Sequence, residues 1–339
     1  MTTSDAAAPT RSLDRKLASI LAGTYTPDDF VIADAKDGDM AFGITSAGPL
    51  VDDPSGLAGP GQYGTRESYL DAMRALLAAG AVDIMLTSAA NGERLAMAGS
   101  IGDQATLAVR GNDTTDIWNS RFADYPTHPS RPFRTANLAA IRPFCDLVLY
   151  SATFNADLDR DLATAEAYAR FRGDAAAAGI RHFLEVFNPN AAQRLAPEHV
   201  GAFVNDSIVR TLAGVTAAER PLFLKVAYNG SAALTELTEH DPSLVVGILG
   251  GSSGTVRDTF ELLHRAEASG ARIALFGRKI QRAESQLDLV RLMRPVLRGE
   301  LSPADGVKAY HEALDRAGRT PKRSLTEDLQ VTEPALLTE

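Results

Sequence analysis

Cysteine is almost missing from this chain. Cys145 stands alone in the apolar context PFCDLVLY, which excludes an internal disulfide or a cysteine-rich metal site and marks it as a small core residue. The six histidines (His128, His182, His199, His240, His264 and His311) never fall at H-x-x-x-H or H-x-H spacing, so no zinc site is expected, and His182 reads as a core histidine at the start of a strand. Positive charge is also scarce. Thirty-four Lys and Arg face 43 Asp and Glu, a formal net charge of -9, and no basic stripe with interleaved aromatics occurs, so nucleic acid is not an expected partner. Any phosphate would have to be held locally, by backbone amides and one or two basic side chains. There is no apolar run of about 18 residues and no basic, then apolar, leader, so neither membrane insertion nor export is expected and the location read from sequence is cytoplasmic.

What the chain does have is a series of short apolar runs, each followed by polar or glycine-containing residues and then a helical stretch. There are eight: Phe30–Ala33, Val82–Leu86, Ala105–Val109, Asp146–Tyr150, His182–Val186, Leu222–Val226, Leu244–Leu249 and Ile273–Phe276. Between them RESYLDAMRALLAAG, LATAEAYARFRGDAAAAG, ALTELTEH and TVRDTFELLHRAEASG carry apolar residues at three- and four-residue spacing. Eight βα units close a barrel. A doubly wound open sheet is the competing arrangement, but the first βα turn has no G-x-G-x-x-G fingerprint. The expected layout is a disordered tail over 1–10, a single (β/α)8 barrel over 11–318 with RSLDRKLASILAG as a preceding helix, a C-terminal helical extension, and a polar, irregular tail over 319–339. The connections after the first and third runs are long and rich in Gly, Pro, Asn and Asp, as lids over a catalytic face would be.

In a barrel the C-terminal ends of the strands form the active-site mouth. HFLEVFNPN places Glu185, and PLFLKVAYNG places Lys225, among apolar residues. A lysine is costly to bury as a cation, and desolvation favours the free amine that attacks a carbonyl to form a Schiff base. A structural Lys225–Glu185 ion pair explains the same residues equally well. GILGGSSGTVRDTF then runs from a strand through Gly250, Gly251, Ser252 and Ser253 into a helix N-terminus, and ALFGRKI ends the last strand with Gly277 and Arg278. Loops after the last two strands of a barrel recurrently hold phosphate.

The ordered stretches LAVRGNDTT, CDLVLY, HFLEVFNPN, LFLKVAYNG, GILGGSSGTVRDTF and ASGARIALFGRKI resemble the class I (Schiff-base) aldolase superfamily, particularly the archaeal-type fructose bisphosphate and tagatose bisphosphate aldolases, from about Phe30 to Ile280. The resemblance implies a carbon–carbon lyase acting on a phosphorylated sugar or keto compound, with Lys225 as the Schiff-base lysine and a first-strand aspartate assisting proton transfer. It further implies phosphate binding by Gly250, Gly251, Ser252, Gly277 and Arg278, with Ser253 beside them. Glu185 matches the acid/base glutamate of the tagatose type, and Tyr150, at the end of the fourth strand, is its rival from the archaeal type. No metal or organic cofactor is required, and assembly as a homo-oligomer is implied.

The first strand itself is ambiguous. Alternation puts Asp34 and Lys36 on one face and Asp37 on the other, which favours Asp34 as the family aspartate because Lys36 can compensate its charge. The same residues in IADAKDGDM also fit D-x-K-x-x-D through Asp34, Lys36 and Asp39, which is similar to the active-site strand of orotidine monophosphate decarboxylase, although that family carries the motif on its third strand. A solvated acidic turn, or a magnesium site at Asp34, Asp37 and Asp39, would account for the carboxylates too, with Lys36 arguing against the metal. A third reading of the chain is a non-catalytic phosphosugar-binding barrel. Trp118 suits a packed loop, and Arg131 and Arg134 are candidates for a second phosphate.

Overall fold

The computed structural model describes residues 11–50, 62–192 and 195–337, so the tail expected over 1–10 lies outside the described residues. Each of the eight apolar runs becomes a parallel strand: β1 Val31–Lys36, β2 Ile84–Thr87, β3 Thr106–Arg110, β4 Leu147–Thr153, β5 Arg181–Phe187, β6 Leu224–Val226, β7 Val246–Leu249 and β8 Ile273–Phe276. β1 pairs with β2 through Ala33 and Ile84 and with β8 through Val31 and Ile273, which closes the sheet and excludes the open one. The protein is a (β/α)8 barrel with an N-terminal helix and a C-terminal helical extension.

Strand alternation sorts the side chains into two layers. Val31, Ala33, Ile84, Leu86, Ala108, Leu147, Leu149, Phe183, Phe223, Ile273 and Leu275 fill the barrel interior, and Leu13 and Leu17 of the helix Ser12–Leu21 join the same cluster. That helix is pinned to the barrel by Lys16, whose Nζ reaches Asp83 at 2.8 Å and donates to the Phe30 carbonyl at 3.1 Å. Ile32, Val109, Val148 and Tyr150 belong instead to the cluster between the sheet and the outer helices. A strand covered on both faces has no polar side, which is why these runs read as continuously apolar.

Hydroxyls and carboxylates start the helices. Thr65 accepts from the Ser68 N–H at the head of Arg66–Ala78, and Asp157 accepts from the Arg160 N–H at the head of Leu158–Ala178, which ends on left-handed Gly179. In the loop after β3, Asp113–Thr114 and Pro132–Phe133 pair as a small antiparallel ribbon, and Trp118 packs between Tyr125 (4.9 Å) and Phe133 (5.1 Å).

The helices Gln286–Leu297 and Pro303–Arg316 pack against Val256–Ala268. Beyond them, the segment that reads as an irregular tail is docked by polar contacts. Asp328 Oδ1 accepts the Val256 N–H at 2.8 Å, Asp258 Oδ1 accepts the Thr332 N–H at 2.7 Å, and Glu333 Oε1 lies 2.8 Å from Lys279 Nζ. Leu336 is buried in the core and Leu329, Val331 and Ala335 pack against it, but these apolar residues are too few and unevenly spaced to leave a helical period in the sequence. Among the described residues no helix is long and apolar enough to cross a membrane.

Candidate active site

Parallel register sets polar residues of neighbouring strands in one row. Ser151 of β4 lies opposite Glu185 of β5, and Glu185 lies opposite Lys225 of β6. Interior alternation turns all three inward, one step beyond the apolar layer of Leu149, Phe183 and Phe223. The row forms the floor of a cavity of about 710 Å3, lined by Asp37, Arg110, Glu185, Lys225 and the turns after β7 and β8.

Lys225 Nζ stands 2.5 Å from Glu185 Oε1, and both residues are buried. The other carboxylate oxygen, Oε2, accepts from Ser151 Oγ at 2.6 Å and from Arg110 Nη2 at 3.2 Å. Arg110 also donates through Nη1 to Ser151 Oγ at 2.7 Å and through Nε to Asp37 Oδ2 at 2.6 Å. Asn112 fixes the Ser151 backbone on both sides, accepting its N–H at 2.6 Å and donating to its carbonyl at 2.8 Å. Burial pushes the Asp37 carboxyl up, but the charges of Arg110 and Lys225 outweigh it and hold Asp37 below the ordinary carboxylate value. Two anions and two cations thus interlock at the cavity floor.

The sequence-predicted residues divide around this floor. Lys225, Glu185 and Asp37 come together, whereas Asp34 and Lys36 lie on the opposite, helix-facing side of β1 with Ile32, outside the cavity lining. There Lys36 Nζ sits 3.2 Å from Asp34 Oδ2 and donates to Gln286 Oε1 at 2.9 Å, with neither side chain accessible to solvent. Burial raises the Asp34 carboxyl to about 6 despite Lys36, and burial lowers Lys36. The preference for Asp34 over Asp37 is therefore corrected: alternation separates the two as expected, but the face that carries Asp37 is the one turned to the cavity. Asp39 accepts from Ser88 Oγ at 2.6 Å and Asn91 Nδ2 at 3.1 Å, and with Asp34, Lys36 and Asp39 all outside the cavity lining the D-x-K-x-x-D residues do not converge on the cavity as the decarboxylase reading needs. Among the described residues no group of three His, Cys, Asp or Glu side chains is arranged to hold a metal, the Asp34, Asp37 and Asp39 combination included.

Tyr150 also faces outward. Its ring packs 4.5 Å from Phe171 and 5.0 Å from Tyr168, its hydroxyl is buried without a hydrogen-bond partner, and burial pushes that hydroxyl well above its ordinary value. Ser151, the next residue, takes the inward position. Arg131 and Arg134 lie outside the main cavity, the latter paired with Asp174 at 2.6 Å.

Of the phosphate-loop candidates, Gly250, Gly251, Ser253, Gly277 and Arg278 line the cavity. Gly277 is required by close approach, since a Cβ there would fall 2.8 Å from the Ala35 carbonyl oxygen. Ser252 turns away and donates to Glu333 Oε1 at 3.0 Å. The helix N-terminus behind the turn is occupied as well, because Thr255 and Asp258 cap one another and Asp328 takes the Val256 N–H. An anion in this cavity would meet the turn itself and Arg278.

No family model and no curated protein matches the chain. Among solved structures it is similar to a Schiff base-forming fructose-1,6-bisphosphate aldolase, with 16% identity, a TM-score of 0.59, and coverage of 84% of this chain and 99% of that one. An archaeal fructose 1,6-bisphosphate aldolase aligns equally well, with 16% identity and a TM-score of 0.59 over 85% of this chain and 99% of that one. In fold, the chain resembles the Schiff-base aldolases. A Corynebacterium glutamicum protein is similar at 17% identity and a TM-score of 0.58, over 85% of this chain and 94% of that one. Against this aldolase-like barrel, Arg110 in the cavity lining, and Ser151 and Asn112 that brace it and Glu185 from beneath, are the residues that the sequence reading passes over. An isolated arginine ending the apolar run TLAVR was the available signal, of the same kind that singled out Lys225.

Proposed function

We propose that this barrel is a class I aldolase that makes or breaks a carbon–carbon bond in a phosphorylated sugar or keto compound through a Schiff base on Lys225. The observation that carries the reading is the 2.5 Å contact between Lys225 Nζ and Glu185 Oε1 at the floor of an open cavity. A proton passed from the ammonium to Glu185 frees the amine, which adds to the substrate carbonyl. The carbinolamine then loses water, its hydroxyl leaving with a proton returned by Glu185, and an iminium remains. The iminium takes up the electron pair of the cleaved bond while Glu185, again a carboxylate, removes the proton of the adjacent hydroxyl. Glu185 returns that proton to the carbon of the enamine left by cleavage, and water hydrolyses the resulting iminium, releasing the keto product and freeing Lys225, while Asp37 stays ionised under Arg110 and stabilises the cationic intermediates from across the floor. The turns around Gly250 and Gly277, with Arg278, hold the phosphate.

Borohydride reduction in the presence of phosphorylated ketoses, dihydroxyacetone phosphate or pyruvate, followed by intact-mass analysis and peptide mapping, tests this. A reduced adduct on Lys225, missing in Lys225→Ala, is expected, and its mass narrows the substrate. Full occupancy of ligand without any adduct would instead make Lys225–Glu185 a structural ion pair in a phosphosugar-binding barrel.

A further inference from the structure

Beyond Arg278, which the aldolase reading already uses, the cavity is lined by three cations it leaves unused: Arg282, Lys322 and Arg323. Arg278, Arg282, Lys322 and Arg323 all line the cavity, and among the described residues none has a carboxylate within 4.0 Å. Their neighbour Lys279 shows the contrast, being neutralised by Glu333 at 2.8 Å. The acids closest in sequence bond groups other than these side-chain cations: Glu284, itself in the cavity lining, accepts the Lys322 backbone N–H at 2.7 Å and the Tyr310 hydroxyl at 3.1 Å, while Glu327 accepts the Ser324 N–H at 2.9 Å and its Oγ at 2.7 Å. Lys322 Nζ donates to the Arg282 carbonyl at 2.9 Å, which ties the C-terminal segment to the turn after β8 and joins the four cations in one arc. Arg278 and Arg282 sit four residues apart at the two ends of the short helix Arg278–Gln281, a like-charge spacing that disfavours the helix. In a chain with 43 acids and 34 bases, four cations that line the same cavity as a glycine turn and hold no contact ion pair among the described residues have the character of a binding surface, even with Glu333 and Glu327 acting on Arg278 and Arg323 from further off.

We propose that Arg282, Lys322 and Arg323 form a second anion subsite in the cavity lined by the Gly250–Gly254 turn, so that the cavity takes a ligand bearing a diphosphate or longer polyphosphate arm. The turn and Arg278 hold the inner phosphoryl group, and the arc holds the outer one. This rests on the cavity being the substrate site, but not on Lys225 chemistry.

Isothermal titration of the full chain with inorganic phosphate, pyrophosphate and tripolyphosphate at matched ionic strength tests it, because exposed ion pairs are screened by salt. Three added ion pairs of modest individual strength give about a tenfold preference for pyrophosphate over phosphate. The Arg282→Ala/Lys322→Ala/Arg323→Ala variant should lose that preference and keep its phosphate affinity within about twofold, with unchanged circular dichroism. If the triple variant misfolds, Arg282→Ala alone should lower the preference about twofold. Equal binding of the three anions by the native chain, a preference retained in the variant, or parallel loss of phosphate and pyrophosphate would each overturn the proposal. None of these probes carries a carbonyl, so failure to trap an adduct on Lys225 would leave this result untouched.

Discussion

Replacing Arg110 with methionine is the sharpest test of how the cavity floor is held together. Methionine preserves much of the apolar stem and removes a guanidinium that bonds Asp37 Oδ2 at 2.6 Å, Ser151 Oγ at 2.7 Å and Glu185 Oε2 at 3.2 Å. Two buried carboxylates would then share the single charge of Lys225, and removal of one partner from such a buried network costs about 3–5 kcal/mol. The loss should depend on pH with a definite sign. Asp37 is held below its ordinary value in the folded protein, so its stabilisation is complete above the unfolded-state carboxylate pKa and is lost as pH falls through the lowered folded value. The gap in urea midpoint between native and Arg110→Met protein should therefore be widest near about pH 7 and shrink on acidification towards about pH 4, where the variant's stranded carboxylates take up protons. Urea unfolding followed by circular dichroism across that range is the assay, with Arg74→Met, which loses only surface ion pairs to Glu67 and Asp71, as a control expected to leave the midpoint in place. An Arg110→Met midpoint equal to the native one at neutral pH, or a gap that does not change with pH, would refute the interlocked floor.

Glu185→Gln, read by steady-state turnover, should cost roughly 10^2–10^4-fold, the range of a lost acid/base group, while Lys225 is still trapped by borohydride on long incubation. Lys36→Met strands Asp34, whose carboxyl is already raised to about 6, so the variant should be destabilised most above that pH, and adding Asp34→Asn should restore most of the urea midpoint. Neither change should abolish the Lys225 adduct, whereas Asp37→Asn should slow its formation. Tyr150→Phe removes a buried hydroxyl that has no partner, so turnover should stay within about twofold and stability should be unchanged or higher by up to about 1 kcal/mol.

The eight strands, their order, and the placing of Glu185 and Lys225 within the fifth and sixth of them were all legible in the amino-acid sequence. Each depends on local composition: short apolar runs bounded by turn residues, and a charge that has no solvent-exposed face to occupy. Closure was read only indirectly, from the count of eight βα units and the missing dinucleotide fingerprint, because the pairing of Val31 with Ile273 joins the two ends of the chain's sheet and leaves no local mark. The choice between Asp34 and Asp37 shows the limit most clearly. Alternation placed them on opposite faces correctly, but both faces of a barrel strand are buried, so the period alone does not say which is inside. Tyr150 and Ser151 pose the same problem one strand group away, and there too the inward turn of Leu149 decides it. Arg110 and the docked C-terminal segment came only with the tertiary structure, since their partners are carboxylates and amides brought from distant parts of the chain. Local chemistry determined which residues could matter at this site, and packing of the sheet against its helices determined which of them meet.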